Sequence, residues 1–356
     1  MKKINVLQSF RAIFIVLICI EHMALNNRLS LLGAGGEGVA FFIVLSGFLV
    51  GYLYRERSID ASFKNSKIFV CKKIKKFYPL HIIAIVLSAL LQILYLLKNH
   101  FLSVKVFGQI VAKILLNILF LQVYVPIDGW YMNEINGVSW FLSTIVFCYV
   151  FSLTGIAIVK KAREKQKSVI LFILLLLIYI LVSILFRASD LKTFVLYVFP
   201  PVRFLEYFMA MIIGYNYNEK FHTSKSAGAA TVIEITTILL FITGHIFLKT
   251  GMYGNKGDFQ YVMMFIISMV IVYVFSKERG MVSRLLDNSL LVGIGNASFY
   301  IYIMHQVIIK YVTTIFGWNN IGAAVSFVVI AIYTIVVSKY YDKVVEGIKK
   351  RVYSKY

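Results

Sequence analysis

SFRAIFIVLICIEHMAL, residues 9–25, decides how the rest of the chain is read. It is apolar enough for a membrane-spanning helix, yet it contains Arg11, Glu21 and His22. Ionisable groups are expensive in hydrocarbon, so those found in a span face a protein interior or a watery passage. Arg11 and His22 stand eleven residues apart, which at 100° per residue is three turns plus about 20°, so one helix face carries both. Their axial separation is about 16 Å, with Arg11 near the start of the span and His22 in its far half. Two readings compete for this face. Either Arg11 snorkels to headgroups while His22 packs at the opposite interface, or the face lines a passage with a cation at its mouth and a base deeper in. Glu21 lies 100° round from His22, too far to orient it directly, and is expected to make packing or loop contacts.

The whole chain fits a membrane reading. Of 356 residues 60% are hydrophobic and only 15% charged, and the mean hydropathy is +0.81. Soluble domains carry about a quarter charged residues, so the class is an integral membrane protein. The net charge of +21 is the excess expected of cytoplasmic loops, and nucleic acid is not an expected partner. Cys19, Cys71 and Cys148 are isolated and imply neither a disulfide framework nor a metal site. The basic start MKKINVLQSFRAIF lacks a small-residue cleavage site and reads as a retained first span.

Spanning candidates lie at residues 6–25, 38–54, 78–97, 138–159, 168–186, 200–217, 228–248, 259–276, 295–315 and 321–338. Positive clusters (YRERSIDASFKNSKIFVCKKIKKF, KKAREKQK, NEKFHTSK, SKERGMVSR, KKRVYSKY and the initial MKK) occupy both termini and every second loop. That alternation predicts an all-α, polytopic protein of about ten transmembrane helices, one domain over residues 1–356, with both termini cytoplasmic. Residues 107–125 spoil the alternation if they also cross. Gln109, Lys113 and Asn117 recur there every four residues as one polar stripe, so this stretch reads as an interfacial or cavity-lining helix.

Several residues invite chemistry. VCKKIKKFYPLH places Lys72, Lys73, Lys75 and Lys76 before the third span, with Tyr78 and Pro79 at its start. Orientation charge with an aromatic anchor accounts for the run, and so does a site for a cytosolic ligand with several phosphates. Arg203 and Glu206, three apart, are placed to form a structural ion pair along one helix face. Ser46, Ser143 and Thr144 offer hydroxyls either to helix backbone or to a developing oxyanion. Trp130 and Tyr131, with Asp128, Asn133, Glu134 and Asn136 in VPIDGWYMNEING, suit either carbohydrate or an interfacial aromatic belt. Glu234 and His245 also share a face, but no motif surrounds them, and they read as coincidence.

Six blocks taken in order resemble the acyltransferase-3 family of membrane O-acyltransferases. They are Arg11 and His22 with ten residues between; Ser46, Gly47 and Phe48 in GVAFFIVLSGFLVGY; KKIKKFYPL; GVSWFLSTIVFCY; Arg203 and Glu206 in RFLEYFMAMIIGY; and ASFYIYIMHQVII with His305. They span residues 7 to 309. Gln8 and Ser9 stand where many members carry Asp-Gly, Ala40 replaces a common aspartate, Ile145 and Val146 replace glutamates, and Ala210 replaces a glycine.

The resemblance implies transfer of an acyl group, usually acetyl, from cytosolic acyl-CoA to an acceptor hydroxyl facing outwards. It points to the bacterial cytoplasmic membrane and to a surface polysaccharide (capsule, exopolysaccharide or O-antigen) or its lipid-linked precursor. Arg11, Lys72, Lys73, Lys75, Lys76 and Tyr78 are then the acyl-CoA-binding candidates, and Arg11, His22 and His305 the catalytic ones. His22 is the general base, imidazole having an unperturbed pKa near working pH, or else it carries the acyl group. Ser46, Trp130, Trp140, Ser143, Arg203 and Glu206 fall to substrate or support roles. Acetyl-CoA is the expected donor, with succinyl or another short acyl group left open; membrane lipids and a glycan are the expected partners, and no metal is called for. The competing class is a transporter or glycan flippase, which also needs many spans and buried charge, but the paired halves typical of that class are not visible.

Overall fold

The computed structural model of the chain describes residues 4–23, 31–125, 135–217, 226–250 and 259–353, and among them there is helix and no strand. The helices are α1 (Asn5–His22), α2 (Gly35–Tyr54), α3 (Phe63–Ile74), α4 (Tyr78–Lys98), α5 (Val104–Ile118), α6 (Trp140–Val150) and α7 (Ser152–Glu164). They continue as α8 (Ser168–Phe186), α9 (Pro200–Tyr215), α10 (Ala227–Thr250), α11 (Gln260–Phe275), α12 (Met281–Leu286), α13 (Ser289–Phe316) and α14 (Asn320–Tyr353). Seven are long and apolar enough to cross a bilayer: α1, α2, α4, α8, α10, α13 and the Asn320–Val337 part of α14. The bent pair α6–α7 makes an eighth if it is one span. Residues 200–217 and 259–276 are helical too, but α9 and α11 have 16 residues each.

The stretch 138–159 is not one straight helix, because α6 and α7 meet at a 49° bend. Ser152, opening α7, returns its hydroxyl to the Cys148 carbonyl at 2.8 Å, a back-bond that bends helices.

Lipid dictates which side of each helix is apolar. In α8, Val169, Ile170, Ile173, Leu174, Leu177 and Leu181 are exposed while Tyr179 and Ser183 are buried. This is the reverse of a soluble amphipathic helix and suits a hydrocarbon solvent. The same inversion explains residues 107–125. Val104, Phe107, Val111 and Leu115 form the exposed face of α5, and Asn117 of the polar stripe is fully buried. The helix ends at Ile118 rather than running on, because Phe120 takes a left-handed φ of 58°.

Close contacts divide the chain into two compact units, each drawn from three stretches. The first comprises Met1–Leu7, Gly36–Cys71 and Trp140–Asn288. Within it α2 meets α9 backbone to backbone. A Cβ on Gly47 would fall on the Tyr207 carbonyl, and one on Gly51 on the Met211 carbonyl. Two glycines four apart thus form the small-residue seam by which membrane helices approach closely. Glu234 and His245 do not pair with each other. Glu234 accepts hydrogen bonds from the backbone N–H groups of Gly280 (2.7 Å) and Ser283 (3.0 Å), capping α12, and His245 Nδ1 lies 2.7 Å from Glu37 Oε1.

The second unit comprises Gln8–Gly35, Lys72–Ser139 and Ser289–Tyr356. Its α4–α5 contact is an apolar core of Ile85, Ala89, Ile110 and Ile135. α13 turns into α14 through Gly317, whose φ of 83° favours glycine.

Candidate active site

Within the second unit α1 and α13 run side by side in the same direction. A Cβ on Gly295 would fall on the Gln8 carbonyl, so only glycine admits this approach. Three residues further along each helix, Arg11 Nε donates to Ser298 Oγ at 3.1 Å, and Arg11 Nη1 donates to Gln8 Oε1 at 3.0 Å. Further still, the rings of His22 and His305 meet edge to face, with centroids 5.0 Å apart and planes at 69°. The face shared by Arg11 and His22 is therefore turned onto α13, and it meets Ser298 and His305 there.

The hydrogen bonds fix the tautomers. His22 Nδ1 lies 2.9 Å from the Ile18 carbonyl and His305 Nδ1 lies 2.7 Å from the Tyr302 carbonyl. A carbonyl only accepts, so each ring carries its proton on Nδ1 and offers Nε2 as a lone pair. His305 is fully buried and its Nε2 has no hydrogen-bond partner, whereas His22 is partly exposed. Two bases thus sit together, one shielded and one reachable. Glu21 is exposed, and its backbone lies against Gly33, where a Cβ would come 2.7 Å from the Glu21 Cα.

The lysines belong to the Arg11 end. Lys72 and Lys73 close α3, and Lys75 and Lys76 follow in the turn before α4. Lys72, Lys75 and Lys76 are exposed. Lys73 is partly buried, and desolvation, with the Lys76 charge second, lowers its pKa to about 8. The next residue, Phe77, is buried with its ring 4.9 Å from that of Phe299, the neighbour of Ser298 in α13. Tyr78 gives its hydroxyl to the Ile118 carbonyl at 3.3 Å.

Beside this lies a polar network. His81 Nε2 donates to the Asn117 carbonyl at 2.9 Å, Ser139 Oγ donates to Asn117 Oδ1 at 2.6 Å, and Gln122 Nε2 donates to the Ser139 carbonyl at 2.8 Å. The Asn117 stripe was its only trace in the sequence. Gln8, Ser298 and His81 sit in apolar surroundings where no spacing singles them out.

Ser46, Trp140, Ser143, Arg203 and Glu206 belong to the first unit, and Trp130 lies outside the described residues. Ser46 Oγ donates to its own helix at the Phe42 carbonyl (2.7 Å), and Thr144 Oγ1 donates to the Val198 carbonyl (3.1 Å). Ser143 Oγ is buried without a partner. Trp140 packs on Tyr197, ring centroids 4.8 Å apart. Arg203 and Glu206 form a buried ion pair at 2.6 Å, and Tyr179 Oη donates to the same carboxylate oxygen at 2.5 Å. Arg203 Nε and Nη2 and Glu206 Oε2 stay unpartnered. Among the described residues no three metal-ligating side chains converge.

The fold is that of a multi-pass helical membrane protein, and its second unit holds an imidazole pair with a cationic end. The profile of the acyltransferase-3 family, described as an acyltransferase domain, matches residues 4–340, and the chain belongs to that family. No curated protein and no solved structure matches it.

Proposed function

We propose that the protein transfers an acetyl, or another short acyl, group from cytosolic acyl-CoA to a hydroxyl of a surface polysaccharide or lipid-linked glycan at the bacterial cytoplasmic membrane. The family supplies the reaction class. The observation that carries the mechanism is the His22–His305 pair, with both Nδ1 atoms held by carbonyls and both Nε2 atoms presented as bases.

In this reading the phosphates of CoA rest against Lys72, Lys73, Lys75, Lys76 and Arg11, and the pantetheine arm follows the α1–α13 seam to the histidines. The acceptor oxygen bonds to the acyl carbon while its proton passes to His22 Nε2. The carbon–sulfur bond then breaks, and the departing thiolate recovers that proton. His305, buried beside it, holds His22 in place and steadies its ring while the proton is on it. A route through acyl-His22 uses the same lone pair: Nε2 bonds to the acyl carbon as the carbon–sulfur bond breaks and the thiolate leaves. The acceptor oxygen then bonds to that carbon as the carbon–nitrogen bond breaks, and the hydroxyl proton passes by way of the freed Nε2 to the thiolate.

A flippase is the competing class, and one assay separates the two. Purified protein in liposomes, given radiolabelled acetyl-CoA and a glycolipid acceptor, is expected to put label on the glycan. Movement of glycolipid between leaflets with label on neither glycan nor protein would establish the flippase instead.

A further inference from the structure

Beyond the histidines along α13, the unit opens into a cavity of about 600 Å³ that the mechanism above does not use. α4 contributes Ser88, Gln92, Tyr95 and Lys98, α13 contributes Lys310, Thr313 and Thr314, and Ile135, Trp318, Asn99 and two leucines complete the wall. The volume is that of a small-ligand site. Its chemistry is lopsided. Lys98 and Lys310 supply two ammonium groups, and no acidic side chain is among the described lining residues. The threonine hydroxyls are spent on their own helix, Thr313 on the Ile309 carbonyl and Thr314 on the Lys310 carbonyl.

Ser88 Oγ and Gln92 Oε1, by contrast, are buried without a hydrogen-bond partner, Ser88 being only 5% exposed. The Gln92 amide oxygen can only accept and calls for a donor, while the Ser88 hydroxyl can give or take a hydrogen bond. Tyr95 and Trp318 are 61% and 64% exposed, so two ring faces stand open at the rim. Ammonium groups, acceptor oxygens and open ring faces together match an acidic carbohydrate: carboxylates for the lysines, hydroxyls for the oxygens and C–H faces for the rings. A fully ionised phosphate can accept from Ser88 but offers no donor to the Gln92 oxygen and no C–H face to the rings.

We infer that this cavity seats an acidic glycan and that the protein selects a uronate-bearing chain over a neutral one. Naming that glycan as the acyl acceptor rests on the proposed transfer reaction; the binding itself does not.

The test titrates purified full-length protein in detergent, without acyl-CoA, by calorimetry. The probes are a hyaluronan tetrasaccharide and the same tetrasaccharide with its carboxyls reduced. The acidic probe is expected to bind roughly tenfold more tightly, the scale of one charge-assisted hydrogen bond. In Lys98→Gln/Lys310→Gln that preference falls to about twofold or less, and Lys98→Arg/Lys310→Arg restores it. Equal binding of the two probes, a preference that survives the glutamine pair, or failure of the arginine pair to restore it overturns the inference. So does competition of the acidic probe by phosphatidylglycerol in mixed micelles, which assigns the lysines to lipid headgroups. Because no donor is present, these results are independent of label transfer. Glycan bound without acyl transfer rejects the enzyme reading alone, and transfer to glycan without acidic selectivity rejects the cavity assignment alone.

Discussion

Single residues in this chain are decided by what their neighbours leave undone. His22 and His305 each spend Nδ1 on a carbonyl, so the lone pair that remains is the group that can do chemistry. Replacing His305 with glutamine removes the shielded base and is expected to slow transfer by roughly 10²-fold or more, with membrane insertion intact; an unchanged rate under single turnover contradicts its role. Lys73 gives a pH test with a definite sign. Its pKa is lowered to about 8, so its charge is lost as pH rises through that value, and under the proposed donor site affinity for anionic acyl-CoA is expected to fall with it. The donor KM should rise about fivefold between pH 7 and pH 9 and stay flat in Lys73→Arg, whose charge persists. Parallel profiles for the two proteins remove Lys73 from the donor site. Arg203 and Glu206 supply a stability test. Both are buried, so Glu206→Ala strands a charge and should cost about 3–5 kcal/mol in detergent unfolding, whereas Arg203→Met with Glu206→Met recovers most of the loss. Near-wild-type stability of the single variant means that water reaches the pair.

At the scale of elements, glycines and polar stripes set the packing. Gly295 lets α13 touch α1 at Gln8, and that contact sets the register in which Arg11 meets Ser298. Gly295→Leu is expected to part the helices and abolish transfer while acyl-CoA binding at the lysines persists within a few fold; wild-type turnover shows that the register is unimportant. Much of this was legible. The eleven-residue spacing put Arg11 and His22 on one face, and the four-residue spacing of Gln109, Lys113 and Asn117 marked α5 as a helix with a special side. The partner surface was not legible: Ser298 stood within the ASFYIYIMHQVII block, but contact across 287 residues from Arg11 leaves no local signal, and no spacing marks His81 in its apolar helix. The bend at α6–α7 was hidden because Ser152 looks like any small hydroxyl until its bond to Cys148 is seen. Gln8, at a position where the family resemblance led one to look for an acidic residue, proves to accept a hydrogen bond from Arg11 Nη1.

For the whole molecule, hydropathy and charge alternation carried the reading as far as a helical membrane protein, and the number of crossings turns on α9 and α11, each 16 residues long. Cysteines introduced at Gln166 and Asn319 test the orientation: an impermeant maleimide is expected to reach position 319 from outside intact cells and position 166 only after lysis, and the opposite pattern inverts the topology. In the proposed mechanism the imidazole on the first helix, backed by a second one, accepts a proton or an acyl group when a thioester is brought to it. Single-turnover transfer from radiolabelled acetyl-CoA to glycan, followed in wild type and His22→Ala at saturating donor, measures this directly. Label is expected on glycan in the wild type and to be at least 10²-fold slower to arrive in the variant; transfer at equal rates in both contradicts it.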